Sequence, residues 1–235
     1  MSLRIRNVQV DVPGDRYDEV VAFWAAALSA STRPGDGPYV HLVQPDAVIG
    51  LHLQRIDEGD ARYHLDLEAD DVVAEVERLT AMGATHLGPG DDGQVLADPA
   101  GLVFCVCATG LVVDELADTP SGRGRLDAFF VDVPPSLTAV EQRFWERALN
   151  AEVASPDGGG DSGDGLGGLH GTDEVVVEGV HEARYHLDLS APDVEEEVER
   201  LVALGASRVA SVRGHVTLAD PVGNLLCVIP RGTAA

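Results

Sequence analysis

The sequence predicts an α+β protein built from two tandem copies of one domain. Shifted by 122 residues, Ala61–Cys107 aligns with Ala183–Ile229 without a gap, and 25 of the 47 positions are identical. Shifted by 121, "VDVP" at Val10–Pro13 meets Val131–Pro134, and Phe23-Trp24 meets Phe144-Trp145. Within each copy, a strand-like stretch, a helical stretch and further strand-like stretches recur in that order twice. Solenoids stack three or more short units of roughly 20–50 residues, so two units of about 110 are two domains. The boundaries are read as 1–109 and 124–235, with a linker at 110–123. "TPSGRGR" at Thr119–Arg125 supplies the Pro and Gly expected at a junction.

The elements follow from periodicity. "IRNVQVDV" alternates with period two and reads as a strand. In "DRYDEVVAFWAAAL" the apolar residues Val20, Val21, Phe23, Trp24, Ala27 and Leu28 fall at helical spacing. "YVHLV" and "VIGLHLQ" are strands again, and then the order restarts. "RYHLDL" at Arg62–Leu67 is a strand, repeated at Arg184–Leu189. Asp70 or Asp71 caps a helix carrying Val72, Val76, Leu79 and Met82 on one face, and Gly83 ends it. "GQVLAD" and "LVFCVC" close the unit around the turn "DPAG". The second copy departs most at Ala154–Thr172, a Gly/Asp-rich stretch with eight glycines between Gly158 and Gly171. There a mobile loop and a missing or shortened strand are expected, with the greatest mobility around Asp157–Gly171.

Composition bounds the function. With 45% hydrophobic residues the 235-residue chain can bury a normal core, and no apolar run approaches the roughly 18 residues that span a bilayer. The N-terminus lacks the apolar segment of a signal peptide, so a cytoplasmic location is expected. A formal net charge of −24 disfavours nucleic acid and anionic membranes as partners. The three cysteines, Cys105, Cys107 and Cys227, are expected to be reduced. There is no G-x-S-x-G elbow and no P-loop. A Gly/Asp calcium turn at "GGGDSGDG" is rejected for want of a repeat.

"YHLDL" with its following helix ending "GA", together with "LADPAGLVFCV" and its second copy "LADPVGNLLCV", resembles the vicinal-oxygen-chelate superfamily. That superfamily includes glyoxalase I, bleomycin-resistance proteins and extradiol dioxygenases. The chain looks most like its glyoxalase-like domains. The resemblance implies two βαβββ modules per domain, forming a cup-shaped mixed sheet with helices on the convex side and the ligand or metal in the concavity. Strand parity then turns Tyr63, Leu65 and Leu67 toward the helix and Arg62, His64 and Asp66 into the cup.

Carried over from the metal-using relatives, the ligand positions fall at Asn7, Gly50, His64 and Cys105 in the first domain. In the second they fall at about Ala128, His186 and Cys227. Few of these are usual ligands, so no metal is expected. If a metal is present, His52, His64 and Cys105 are the expected set. Val103 and Leu225 share the cysteines' face and suggest a largely apolar floor. His64 and His186 have structural, acid–base and metal readings open to them, and each can hydrogen-bond its neighbouring aspartate. Asp11 and Asp132 are expected in turn or helix-entry roles, and Glu195–Glu197 and Glu199 on a solvated helix face.

The function expected is small-molecule binding in cup-shaped pockets, with no cofactor. Its candidate residues are Asn7, His52, His64, Asp66, Cys105, His186, Asp188 and Cys227. The alternatives are a lyase, isomerase or dioxygenase using a divalent metal, or a protein whose pockets are filled by its own side chains. The chain is read as a monomer with internally paired domains or a homodimer. Leu65→Asp is expected to cost several kcal/mol and His64→Ala only about 1–2 kcal/mol.

Overall fold

The structure, a computed structural model, describes residues 3–43, 50–109, 125–150, 166–171, 183–212 and 214–231. The first domain runs β1 (Arg4–Pro13), α1 (Tyr17–Ala27), β2 (Ser31–Pro34), β3 (Tyr39–Val43) and β4 (Gly50–Ile56). It then restarts with β5 (Arg62–Ala69), α2 (Val72–Ala81), β6 (Thr85–Pro89), β7 (Gly93–Ala97) and β8 (Val103–Ala108). These are the two βαβββ modules. They join through antiparallel pairing of β1 with β5, giving one mixed sheet in the order β2-β3-β4-β1-β5-β8-β7-β6.

The second domain contains β9 (Arg125–Val133), α3 (Thr138–Leu149), β10 (Leu166–Gly171), β11 (Arg184–Ala191), α4 (Val194–Leu204), β12 (Ser207–Val212), β13 (His215–Ala219) and β14 (Leu225–Pro230). Its described strands form a six-stranded sheet, β10-β9-β11-β14-β13-β12. β10 lies inside the Gly/Asp-rich stretch and pairs parallel with β9, as β4 does with β1. The counterpart of "YVHLV", where a missing or shortened strand is expected, lies outside the described residues, as do the rest of the Gly/Asp-rich stretch and the linker 110–123. No helix among the described residues is long and apolar enough to cross a membrane.

Local chemistry sets the element ends. Asp71 and Asp193 cap α2 and α4 by accepting from Ala74 N and Glu196 N. Gly83 follows α2 at φ +116°, a conformation that a side chain would strain. In the two "DPxG" turns, Asp98 Oδ1 accepts from the amides of Ala100 and Leu102, and Asp220 Oδ1 from those of Val222 and Asn224.

Parity sorts the sheet as expected. Val8, Val10 and Val12 of β1, Leu51 and Leu53 of β4, and Tyr63, Leu65 and Leu67 of β5 are buried in one apolar core that runs through both domains. The domains meet through exchanged contacts. Arg200 of α4 donates to the carbonyls of Ala26 and Ala27 at the end of α1 (3.0 and 2.7 Å). Arg78 of α2 donates to those of Arg147 and Ala148 at the end of α3 (3.1 and 2.8 Å). Orphan carbonyls at two helix C-termini are thus satisfied by the opposite domain. Glu197 departs from the expected solvated face: it is buried and holds Arg200 at 2.8 Å.

Candidate functional site

The cup face of the first domain is ordered by strand register. Gly50, Asn7, Asp66 and Cys105 lie side by side across β4, β1, β5 and β8. The next rung along β3, β4, β1 and β5 is His41, His52, Gln9 and His64. The third is Tyr39, Gln54, Asp11 and Arg62. Arg6 breaks the alternation. The register shifts between Ile5 and Asn7, and this bulge turns Arg6 toward the cup beside Asn7.

A charge quartet forms the floor, with Asp11 and His64 buried, Asp66 partly buried and Arg62 at the exposed edge. His64 Nδ1 lies 3.3 Å from Asp11 Oδ1, and Nε2 lies 3.2 Å from Asp66 Oδ1. Arg62 Nε donates to Asp11 Oδ2 at 2.8 Å, and Asn7 Nδ2 to Asp66 Oδ2 at 3.0 Å. Burial alone would depress the His64 pKa. Asp11 and then Asp66 outweigh it and raise the pKa well above its ordinary value. Asp11 is lowered against its own burial by His64 and Arg62, and Asp66 by His64, Asn7 and Arg6.

Asp11 is therefore not a turn residue. It is 2% exposed and orients His64. Asp132 does the same in the second domain, where His186 Nδ1 lies 3.0 Å from Asp132 Oδ2 and Nε2 lies 3.3 Å from Asp188 Oδ1. Arg184 Nε donates to Asp132 at 3.0 Å.

Above the first floor is a cavity of about 330 Å³, within the range of small-ligand sites. Gln9, His41, His52, Tyr39 and Asp66 line it, as do Arg6 and Arg33. His41 Nδ1 and His52 Nδ1 are 3.0 Å apart, so one must donate and the other accept. Burial, then His41, pushes the His52 pKa down to about 3. Burial, then Arg33 and Arg6, lowers that of His41. Both rings are neutral near pH 7. Tyr39 stays a phenol, its pKa raised by burial and then by Asp92 and Asp91. Gly35 has to be small, because a Cβ there would run into His41 Nε2. Among the described residues Gln9 Nε2 and Arg6 Nε are buried without a hydrogen-bond partner.

The expected candidates thus divide. Asn7, His64, Asp66 and Cys105 come together on the floor, as do His186, Asp188 and Cys227 in the second domain. His52 does not join the first set. Gln9 lies between His52 and His64 on β1, and the partner of His52 is His41. The groups offering three possible metal ligands are His64, Asp66, Cys105 and His186, Asp188, Cys227, each with its atoms within 4.8 Å of one another. The floor is also more polar than Val103 and Leu225 suggested, because β1, β4 and β5 supply polar side chains. Arg6, Gln9, Asp11, Tyr39 and His41 are the site residues that sequence reasoning passed over. Counting by twos from Asn7 reaches Gln9 and Asp11.

The glyoxalase-like domain model matches residues 7–107 and again 128–229. The chain belongs to the glyoxalase-like domain family, within the vicinal-oxygen-chelate superfamily, and carries two such domains in tandem. Solved structures share the whole arrangement. A variant of 4-hydroxymandelate synthase from Streptomyces coelicolor is 15% identical with a TM-score of 0.63, over 99% of this chain and 93% of that one. An Mn(II)-bound glyoxalase from Novosphingobium aromaticivorans is 18% identical with a TM-score of 0.63, over 96% of this chain and 81% of that one. The 2,2',3-trihydroxybiphenyl 1,2-dioxygenase from Sphingomonas wittichii is 14% identical with a TM-score of 0.58, over 99% and 92%. At such identities the likeness concerns the fold. No curated protein matches the chain significantly.

Proposed function

We propose that this chain is a small-molecule-binding protein whose first-domain cup takes the ligand without a catalytic metal. One observation carries the reading. Both domains keep the same Arg–Asp–His–Asp floor, while among the described residues a cavity of about 330 Å³ with unpartnered donors is seen in the first domain. A buried polar atom with nothing to bond is costly unless a ligand satisfies it. The identical floors are read as structural and the differing walls as functional.

The residues present fit a divalent metal poorly. Each floor balances two carboxylates against an imidazolium and a guanidinium, and both nitrogens of His64 face carboxylate oxygens within 3.3 Å. A metal ligand needs a free imidazole lone pair, so a cation would first have to displace a proton held by two carboxylates. Asn7 and Gly50, at two positions where the metal-using relatives place ligands, offer no usual ligand atoms.

A second reading has one observation in its favour. His64, Asp66 and Cys105 offer three ligand atoms within 4.8 Å, and Asp11 holds the other nitrogen of His64 as an outer partner would. On that reading the chain would be a metal-dependent lyase, isomerase or dioxygenase.

Elemental analysis of the untagged protein decides between the two. Near-stoichiometric Mn, Fe, Ni or Zn that disappears in His64→Ala favours the second reading, and trace amounts favour the first. Binding is tested by thermal shift with a panel of neutral and charged small aromatic and aliphatic compounds. At least one class should raise the melting temperature, and Gln9→Phe should abolish that response. A silent panel would count against the cup as a binding site.

A further inference from the structure

The first cup also carries a signal about the charge of its ligand. Arg6 stands at the β1 bulge with Nε buried and without an acceptor among the described residues. Asp66 attracts Arg6 but is not bonded to its Nε: Oδ1 faces His64 Nε2 at 3.2 Å and Oδ2 accepts from Asn7 at 3.0 Å. Next to it Gln9, 1% exposed, presents Nε2, also without an acceptor, while its Oε1 is taken by Asn7 Nδ2 at 3.3 Å. Arg33 stands at the exposed mouth, and Asp36 and Asp92 share that rim. The deep end of the cavity therefore offers hydrogen-bond donors, one of them a cation, in a protein of net charge −24. The second domain lacks this pair: 121 residues on, Asp127 stands at the bulge and Phe130 takes the place of Gln9.

We propose that the first cup selects compact monoanions, a carboxylate being held by Arg6 and by Gln9 Nε2 at its deep end, with the body of the ligand along the His41–His52 wall. The inference rests on the cup being the binding site and adds the ligand's class. An anion there converts two unsatisfied buried donors into hydrogen bonds, one of them charge-assisted. A neutral amide of the same shape satisfies the donors but leaves unbalanced the one positive charge by which Arg6, Arg62 and His64 exceed Asp11 and Asp66.

The test uses two matched pairs on the full chain by calorimetry, benzoate with benzamide and butyrate with butyramide. In at least one pair the carboxylate should bind about tenfold or more tightly than its amide, the ratio that one charge-assisted bond supplies. Arg6→Gln should erase that preference while leaving the melting temperature of the unliganded protein close to that of the wild type. Equal binding within both pairs, or a preference that survives Arg6→Gln, overturns the proposal. Failure of all four probes also overturns it. If the broader neutral panel then still binds, the cup remains the site and only the ligand class was wrong.

Discussion

The two cups share a floor and differ in what stands on it. Arg62, Asp11, His64 and Asp66 in the first are matched residue for residue by Arg184, Asp132, His186 and Asp188 in the second, with closely similar spacings. Beside His64 the first cup has Gln9, whose amide nitrogen has no partner among the described residues. Beside His186 the second has Phe130, stacked on the ring at 4.8 Å and nearly parallel to it. Where the first has Asn7 bonded to Asp66 Oδ2, the second has Ala128, which offers Asp188 no side-chain donor. The shared residues neutralise one another's buried charge. The differing ones decide whether polar atoms are left over for a ligand.

The comparison breaks most sharply on the histidines. Leu65→Asp is expected to unfold the first domain, because it puts an unpaired carboxylate among fully buried apolar side chains. His64→Ala should be far worse than the 1–2 kcal/mol that a cup-lining side chain suggests. It leaves partly buried Asp66 with Arg6 alone and buried Asp11 with Arg62 alone, and breaking a buried pair costs about 3–5 kcal/mol. His186→Ala should lose a similar amount. Denaturant melts of both variants check this. A large loss in one domain and none in the other would mean that the two floors do different jobs.

The two inter-domain joints form a second pair. At one, Trp24 Nε1 donates to Asp220 Oδ2 at 3.2 Å and Val20 packs beside it, fully buried. At the other the residue in Val20's place is Glu141, also fully buried. Its carboxyl oxygens accept no well-formed hydrogen bond among the described residues. Burial, and then the Asp98 carboxylate, raises the Glu141 pKa, and burial raises that of Asp98. The folded state therefore binds more protons than the unfolded one above the ordinary carboxylate range. Stability must fall as pH rises from that range toward and past neutrality. Glu141→Val should raise stability at pH 8 by on the order of 1–3 kcal/mol and flatten that slope. Melts across the pH range that show an unchanged slope would mean that the joint titrates through other groups.

Much of this was legible in the sequence. The repeat fixed both modules and both domains, and the alternation in "RYHLDL" put Leu65 in the core and His64 beneath the cup. The site was less legible, for physical reasons. Arg6 sits on the apolar parity of β1, and only the bulge turns it inward. His41 and His52 come together through the antiparallel register of β3 on β4, across a connection whose length gives no register by itself. Asp11 was open to the parity count but lies close enough to Pro13 to suggest a turn. Arg78 and Arg200 stand in identical "EVERL" segments, yet their acceptors are backbone carbonyls of the other domain, which no side-chain pattern reveals.

The histidine pair of the first cup supplies an acid response. Unfolded His52 titrates near 6.5, whereas burial and then His41 hold it at about 3 in the folded chain. Between those values the unfolded state binds the extra proton, so this contribution to stability is lost as pH falls through that window. His52→Gln should remove part of the loss, on the order of 1–2 kcal/mol around pH 4. Equal acid sensitivity of the variant and the wild type would place the response elsewhere.

The smallest expected change in stability is the most informative about function. Gln9→Phe gives the first cup the wall residue of the second. The new ring has a place to go, since Phe130 already stacks flat on the matching histidine, and the substitution removes a buried amide nitrogen that has no partner. Against that, Asn7 Nδ2 loses one of its two acceptors but keeps Asp66 at 3.0 Å. These terms oppose one another, and the net effect should lie within about 1 kcal/mol. Binding should behave differently, because the ring fills the space above His64 and removes one of the two donors proposed for the carboxylate. A variant that melts like the wild type but no longer responds to benzoate would show that the difference between the cups lies in the wall. If benzoate still binds, the ligand sits away from β1, and the asymmetry of the cups has another cause.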